Sequence, residues 1–428
     1  MKVLVIGSGG REHAIVKALN KSARIKKIYV SPGNGGISCD AQCVSFNAVN
    51  IASMTDFAVE TGINYVVVTP DDPLAAGMVD ALERKGIRCF GPDKKAARIE
   101  SSKVFSKNLM KKYGIPTALY EVFNSAEKAS EYVQLASLKY PLVIKADGLA
   151  LGKGVIIAEN RDEALNAIKL IMTEKKFGDS GLNVVIEEYL TGSEVTILAF
   201  TDGKTIKPMV SSMDHKRAFD GNKGPNTGGM GVVAPAFRYT KNVADICDRT
   251  IFIPTIQAMQ KEGCPFKGCL YIQLMLTTDG PKVIEYNSRF GDPEAQAVLP
   301  LLETELLDIM EAVTDEKLDS VDIKWSNAYS ACVVLASGGY PSEYKTGVAI
   351  TGLGENGNCI DSFALKNGVI VYHAGTEKRG NSFYTTGGRV LNVTATGQTL
   401  NMALDTAYNA VRTINFDGMY YRKDIGKY

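Results

Sequence analysis

The sequence predicts an α/β protein with an N-terminal doubly wound parallel-sheet domain, a mobile lid subdomain and a small C-terminal αβ domain. Three observations carry this reading. Short runs rich in Val and Ile alternate with amphipathic stretches over residues 3–90, the pattern of parallel strands covered on both faces. A glycine turn stands between the first of these strands and the first helix. Further on, Thr278-Asp279-Gly280 joins two apolar runs as an antiparallel hairpin, so the sheet of that region is of another kind.

The elements follow in order. Strands are expected at 3–6, 28–30, 65–69 and 87–90, with helices at 12–21, 54–61 and 74–85. A helical pattern at 101–113 ends at Gly114-Ile115-Pro116, a glycine cap followed by a residue that cannot continue a helix, which sets the first domain at 1–115. Strands at 141–145, 155–158 and 184–189 surround a helix at 161–172, and the unit 116–192 is small enough to move as a lid. A hairpin at 194–200 and 204–209, a glycine-rich loop, a long helix at 240–262 and strands at 268–276 and 282–287 make up 193–326. After Trp325 a separate αβ unit, 327–428, holds strands at 332–336 and 390–394 and a helix at 398–412.

A chain of 428 residues is expected to hold about two to four domains at roughly 100 to 200 residues each. With 45% hydrophobic and 22% charged residues and no long apolar run, it reads as an ordinary soluble protein without a membrane span. The start goes directly into a strand, which implies a cytoplasmic protein. Eight scattered cysteines lack zinc-site spacing and read as reduced thiols, and three histidines are too few for a His-rich metal site. A net charge of +1, with no Lys/Arg block beside aromatic residues, argues against nucleic acid and for small-molecule partners.

Five motifs carry chemistry. Gly7-Ser8-Gly9-Gly10-Arg11-Glu12 lets backbone approach a phosphate at a helix N-terminus. As a dinucleotide fingerprint it is defective, because Glu12 replaces the third glycine; an NAD-type ligand, another phosphate ligand and a structural turn all remain open. Lys145 and Lys153 flank a glycine loop that includes Gly152 and can fold over a triphosphate; the alternative is a surface hairpin with solvated lysines. Glu187 and Glu188 end an apolar strand, where a carboxylate could accept from ribose hydroxyls or merely face solvent. Asp214-His215-Lys216-Arg217 and the loop from Gly224 through Asn226 and Thr227 to Gly231 gather cations and flexible backbone suited to an anion. Glu285 and Asn287 share one face of a strand, a carboxylate and an amide oxygen placed as hard ligands for Mg²⁺, with Arg289 and Asp292 on the adjoining turn.

These motifs together resemble the phosphoribosylamine–glycine ligases of the ATP-grasp superfamily over essentially the whole chain. The resemblance is carried by GSGGREHA at 7–14, KADGLALGKGV at 145–155, DHKR at 214–217, GPNTGGMG at 224–231, RFGDPE at 289–294, and HAGT and GGRVL near His373 and Gly387. It implies an ATP-grasp fold with an N-terminal substrate domain, a lid and a larger half that clamp ATP, and a C-terminal domain. It implies Mg²⁺ or Mn²⁺ as cofactor, ATP, glycine and 5-phosphoribosylamine as ligands, and a monomer or weak homo-oligomer. By position, Lys145, Gly152 and Lys153 would hold phosphates, with Glu187, Glu188 and Glu194 around adenine and ribose. Gly9, Gly10, Arg11, Asp71, Asn226 and Thr227 would bind substrate; Asp214, Lys216, Arg289 and Asp292 would face glycine and the amine. Two departures stand out: Thr69-Pro70-Asp71-Asp72-Pro73 shortens an acid that is usually Glu after Gly-Pro, and Ile272-Gln273 replaces smaller residues.

Overall fold

The computed structural model describes residues 1–135, 137–149 and 154–427, with backbone only at Asp179. The loop positions Gly152 and Lys153 lie outside the described residues.

Strands β1 (Lys2–Gly7), β2 (Lys27–Pro32), β3 (Gln42–Cys43), β4 (Tyr65–Val68) and β5 (Arg88–Phe90) form a parallel sheet in the order β3-β2-β1-β4-β5. Val3, Leu4, Val5 and Ile6 are all fully buried, as in a sheet covered by helices on both faces. The order reverses beside β1, so the turn after β1 lies at the crevice where doubly wound sheets bind ligands. The helix expected at 74–85 is two short helices, Asp71–Ala76 and Met78–Glu83, separated by Gly77 at φ +96°, which also lets Asp71 open a helix at the cleft.

The lid holds β6 (Tyr120–Phe123), β7 (Leu142–Ala146), β8 (Val155–Ala158) and β9 (Val184–Glu188) in the antiparallel order β6-β9-β7-β8. Strand β6 and the helix Ala126–Val133 were not legible as elements, the strand because none of its four residues is fully buried.

Next come β10 (Ser193–Asp202), β11 (Ile206–Pro208), β12 (Met213–Asp214), β13 (Arg217–Phe219), β14 (Lys223–Asn226), β15 (Gly231–Ala234), β16 (Lys267–Thr277) and β17 (Gly280–Asn287). Of these, β11-β10-β16-β17 form one antiparallel sheet. The long helix expected at 240–262 is interrupted by a wider π-helical turn, Asp248–Phe252. Pro254 lies just beyond it and cannot donate to the carbonyl four residues back, so the turn widens there.

The C-terminal strands are β18 (Tyr329–Ala336), β19 (Ala349–Ile350), β20 (Ile370–His373), β21 (Thr376–Arg379), β22 (Ser382–Thr385) and β23 (Arg389–Gly397). The C-terminal unit is not closed on itself: its main sheet runs β12-β15-β18-β23-β20, taking in two strands from the Asp214 loop region. It also meets the N-terminal sheet domain, where the His373 backbone N–H donates to His13 Nδ1 at 2.8 Å.

Candidate active site

Side chains from all four regions line one cleft of about 1200 Å³. At one end, β7 supplies Lys145 and β9 supplies Glu187, neighbours because Lys145 pairs in register with Val185. Lys145 Nζ and Lys107 Nζ both lie 3.1 Å from Glu187 Oε2, while Glu187 Oε1 is buried without a hydrogen-bond partner among the described residues. Lys103 Nζ donates to Gly148 O at 3.1 Å, one helical turn from Lys107. Two ammonium groups therefore share one carboxylate oxygen, with a third lysine one turn away, an arrangement that attracts an anion. Burial pushes the Lys107 pKa down to about 8 against the pull of Glu187, and burial likewise lowers that of Lys103.

Glu187 thus meets lysines through Oε2 and keeps Oε1 without a partner among the described residues. Glu188 is partly exposed and accepts from Leu119 N at 2.9 Å, with Lys282 Nζ 3.6 Å away. Glu194 Oε2 accepts from Gln273 Nε2 at 2.7 Å. All three line the cleft.

The floor is the β16–β17 pair. A bulge places Glu285 opposite Gln273 and Val283 opposite Leu274, leaving Ile284 as the extra residue, and the Ile284 carbonyl accepts from Lys145 Nζ at 3.4 Å. The bulge shifts the pleat by one position: Val283 and Tyr286 are buried, and Glu285 and Asn287 line the cleft. Burial opposes the charge on Glu285, but Lys216, Lys145, Lys103 and Arg289 outweigh it and hold its carboxyl below the usual range. Glu285 has no ion-pair partner within reach among the described residues, and Asn287 Oδ1 meets only Arg289 Nη2, at 3.4 Å. A carboxylate and an amide oxygen on one cleft face fit a hard divalent cation as donors.

Arg289 is fixed by Glu100, whose Oε1 lies 3.1 Å from Nη2 and whose Oε2 accepts from Ser288 N and Oγ at 2.7 and 2.8 Å. Burial works against the guanidinium charge, but Glu100 and Asp71 outweigh it and raise its pKa. Asp71 therefore stands close enough to act on Arg289 despite its shorter side chain.

Asp214 and Lys216 come from β12 and the residues after it. Burial, then Glu294, pushes the Asp214 carboxyl well above its usual range, while burial is outweighed at Lys216 by Glu194, Glu285 and Asp214, which raise its pKa. The following loop folds tightly: Thr227 Oγ1 donates to Lys216 O at 2.8 Å and accepts from Gly229 N at 3.0 Å. Gly229 sits at φ +113°, where a Cβ would lie 2.6 Å from Asp214 Oδ1. Asn226 is exposed at the cleft edge and Thr227 spends its hydroxyl on its own loop.

The glycine turn after β1 closes on carboxylates of the chain itself. Gly9 N donates to Glu12 Oε2 at 2.6 Å and Arg11 N to Asp292 Oδ2 at 3.2 Å. Glu12, which replaces the third fingerprint glycine, is buried and also accepts from Arg11 Nε and Thr69 Oγ1, both at 2.6 Å. Gly10 is buried against Asn392 and Gln296, away from the cleft wall. Burial opposes the Asp292 charge, but Arg389 and Arg11 keep its carboxyl below the usual range.

The cleft also uses residues that the sequence did not single out: Lys103, Lys107, Glu100, Tyr271, Tyr340 and Arg389. Lys103 and Lys107 had a signal in their four-residue spacing, which puts two cations on one face of a helix. Arg389 lay in a quoted motif without a role.

A lysine from the lid sheet, two more from the helix Lys103–Tyr113 and carboxylates from a facing antiparallel sheet line one cleft, in the manner of an ATP-grasp enzyme. Family models of phosphoribosylglycinamide synthetase match along the chain: the N domain over residues 1–100, the ATP-grasp (A) domain over 101–295 and the C domain over 330–428. The phosphoribosylamine–glycine ligase of Caldanaerobacter subterraneus subsp. tengcongensis is 46% identical over 425 residues, 99% of each chain. The crystal structure of the phosphoribosylamine–glycine ligase from Thermotoga maritima superposes with a TM-score of 0.86 at 32% identity, covering 100% of both chains. The biotin carboxylase domain of a Hydrogenobacter thermophilus 2-oxoglutarate carboxylase shares the fold, with a TM-score of 0.72 at 16% identity over 98% of this chain and 91% of that one. The chain belongs to the phosphoribosylglycinamide synthetase family. It is an ATP-dependent carbon–nitrogen ligase of purine biosynthesis.

Proposed function

We propose that the cleft joins glycine to 5-phosphoribosylamine at the expense of ATP, giving glycinamide ribonucleotide, ADP and phosphate, through glycyl phosphate. The observation that carries this reading is the meeting, in one cleft, of lysines at one end, the Glu285–Asn287 pair at the centre and the Asp214, Lys216, Arg289 and Asp292 group at the other.

A carboxylate resists attack by an amine because oxide would have to leave, so one of its oxygens must first be phosphorylated. Lys145 and Lys107 would bind the phosphate chain, together with Gly152 and Lys153, to which the family resemblance gives the same role. Lys145 and Lys107 release Glu187 in part as they do so; Glu188 and Glu194 would flank the nucleoside. Glu285 and Asn287 would hold Mg²⁺ or Mn²⁺, which when bound neutralises charge on the phosphoryl oxygens. Arg289, oriented by Glu100, would bind the glycine carboxylate, and Asp214 with Glu294 would take its ammonium group. Arg11 and Asp71 would place phosphoribosylamine, with Asn226 and Thr227 at the rim, and Asp292 would orient the attacking amine. Closure of 116–192 over 193–326 would exclude the water that destroys an acyl phosphate, and 1–115 and 327–428 complete the walls.

ADP release measured with glycine, phosphoribosylamine and divalent metal omitted in turn tests the reading. Turnover should need all of them together with ATP. Equal ADP release with bicarbonate in place of glycine would overturn it in favour of carboxylation.

A further inference from the structure

The C-terminal domain reaches the cleft with Tyr340 and with the Arg389 guanidinium. Arg389, the first residue of β23, donates from Nη1 to Gly228 O at 2.7 Å and to Asp292 O at 2.8 Å, and its Nη2 lies 3.2 Å from Asp292 Oδ1. A second C-terminal residue supports the same loop, since the Tyr340 hydroxyl accepts from Gly228 N at 3.1 Å. Among the described residues no backbone hydrogen bond joins the loop at 226–229 to the turn at 289–294, so Arg389 supplies the polar link between them. The side chain is only 20% exposed; its loss would take a donor from the Gly228 and Asp292 carbonyls, while the Asp292 carboxylate would keep Gln296 Nε2 at 2.8 Å and Arg11 N at 3.2 Å.

We propose that Arg389 is a positioning residue for the substrate end of the cleft, holding Asp292 and the Gly228–Gly229 loop in one register so that the C-terminal domain completes the site. The proposal rests on the reading of Asp292 and this loop as substrate-facing. A planar fork is what the geometry requires: two carbonyls and a carboxylate are met at once from two nitrogens. A lysine restores the charge near Asp292 but presents a single point and cannot hold all three. The nucleotide end, built from Lys103, Lys107, Lys145 and Glu187, makes no contact with Arg389.

The test compares Arg389→Ala, Arg389→Lys, Tyr340→Phe and Asp292→Asn in the full chain. ATP affinity is measured without the other substrates, and KM for glycine and phosphoribosylamine is measured under turnover. Arg389→Ala should raise the KM for phosphoribosylamine, glycine or both by about tenfold or more. ATP affinity should stay within about twofold of the native value, since uniform binding of nucleotide is untouched. Arg389→Lys should recover only part of the loss, and Tyr340→Phe should raise the same constants by about threefold. Should Arg389→Ala fail to fold, Arg389→Lys and Tyr340→Phe carry the decision. ATP affinity falling in step with the other constants, or native constants in Arg389→Lys and Tyr340→Phe, overturns the proposal. Native constants in Asp292→Asn would instead overturn the underlying placement of substrate, whereas a damaged Asp292→Asn with an unaffected Arg389→Ala removes the clamp alone.

Discussion

Lys216 donates through Nζ to Oε1 of Gln273 at 2.6 Å, and the other end of that amide donates to Glu194 Oε2 at 2.7 Å. The amide orientation is fixed by chemistry: an ammonium only donates and an ionised carboxylate only accepts, so oxygen faces Lys216 and nitrogen faces Glu194. Gln273 and Lys216 meet away from bulk water, whereas Glu194 is exposed at the other end of the amide. Of the departure at Ile272-Gln273, Gln273 is therefore part of the cleft, while Ile272 packs in the apolar core. Gln273→Ala should lower kcat/KM by about tenfold, because Lys216 loses a partner of roughly one charge-assisted hydrogen bond in strength. Steady-state kinetics check this; native kcat/KM would mean that the amide only fills space.

Glu285, to which the proposed mechanism gives the divalent metal, is a carboxylate drawn from water and kept charged by four cations. Its removal should lower kcat by on the order of 10²-fold or more, as loss of a main electrostatic stabiliser does. The melting temperature of Glu285→Ala should remain near that of the native chain, and the divalent-metal concentration for half-maximal activity should rise. A folded variant with near-native kcat would remove Glu285 from the site.

With the nucleotide bound as proposed, Lys107 would give its end of the cleft a pH dependence whose sign is fixed. Its pKa in the free protein is lowered by burial to about 8, so the ammonium that attracts phosphate is present below that pH and is lost above it. The kcat/KM for ATP, which reports the free enzyme, should therefore fall on the alkaline side near pH 8. Lys107→Arg keeps its charge and should move this limb to higher pH. Measuring the profile of both chains decides it, and an unmoved limb would assign the titration to another group.

Much of this was legible in the sequence, for identifiable reasons. Strands β1, β2 and β4 stand out because they are buried on both faces and read as continuous apolar runs. Glu285 and Asn287 were legible as a same-face pair because the bulge lies before them, at Ile284, and leaves their spacing intact. The bulge itself was not legible, since an unpaired residue in an apolar strand has no local signature. Lys107 and Glu100 were hidden because their partners, Glu187 and Arg289, are remote in sequence and meet them only in the fold. The sheet shared by β15 and β18 was missed for the same reason, and with it the reach of Arg389 into the cleft.

The acyl-phosphate route makes a prediction that binding alone cannot imitate. Lys145, Glu285 and Arg289 line one cleft, so a γ-phosphoryl group and a carboxylate would meet between them. If the glycine carboxylate attacks phosphorus, the oxygen that forms the new P–O bond stays with phosphate when the amine displaces it at carbon. Glycine carrying ¹⁸O in both carboxylate positions should therefore yield phosphate with one label, and glycinamide ribonucleotide should keep the other. Had water attacked the γ-phosphoryl group instead, the phosphate oxygen would come from solvent and both labels would remain on glycine. Mass spectrometry of the two products, taken within a few turnovers, separates the routes. Unlabelled phosphate formed during amide synthesis would mean that ATP is hydrolysed apart from bond formation, and the assignment of Arg289 to a carboxylate under phosphorylation would fall with it.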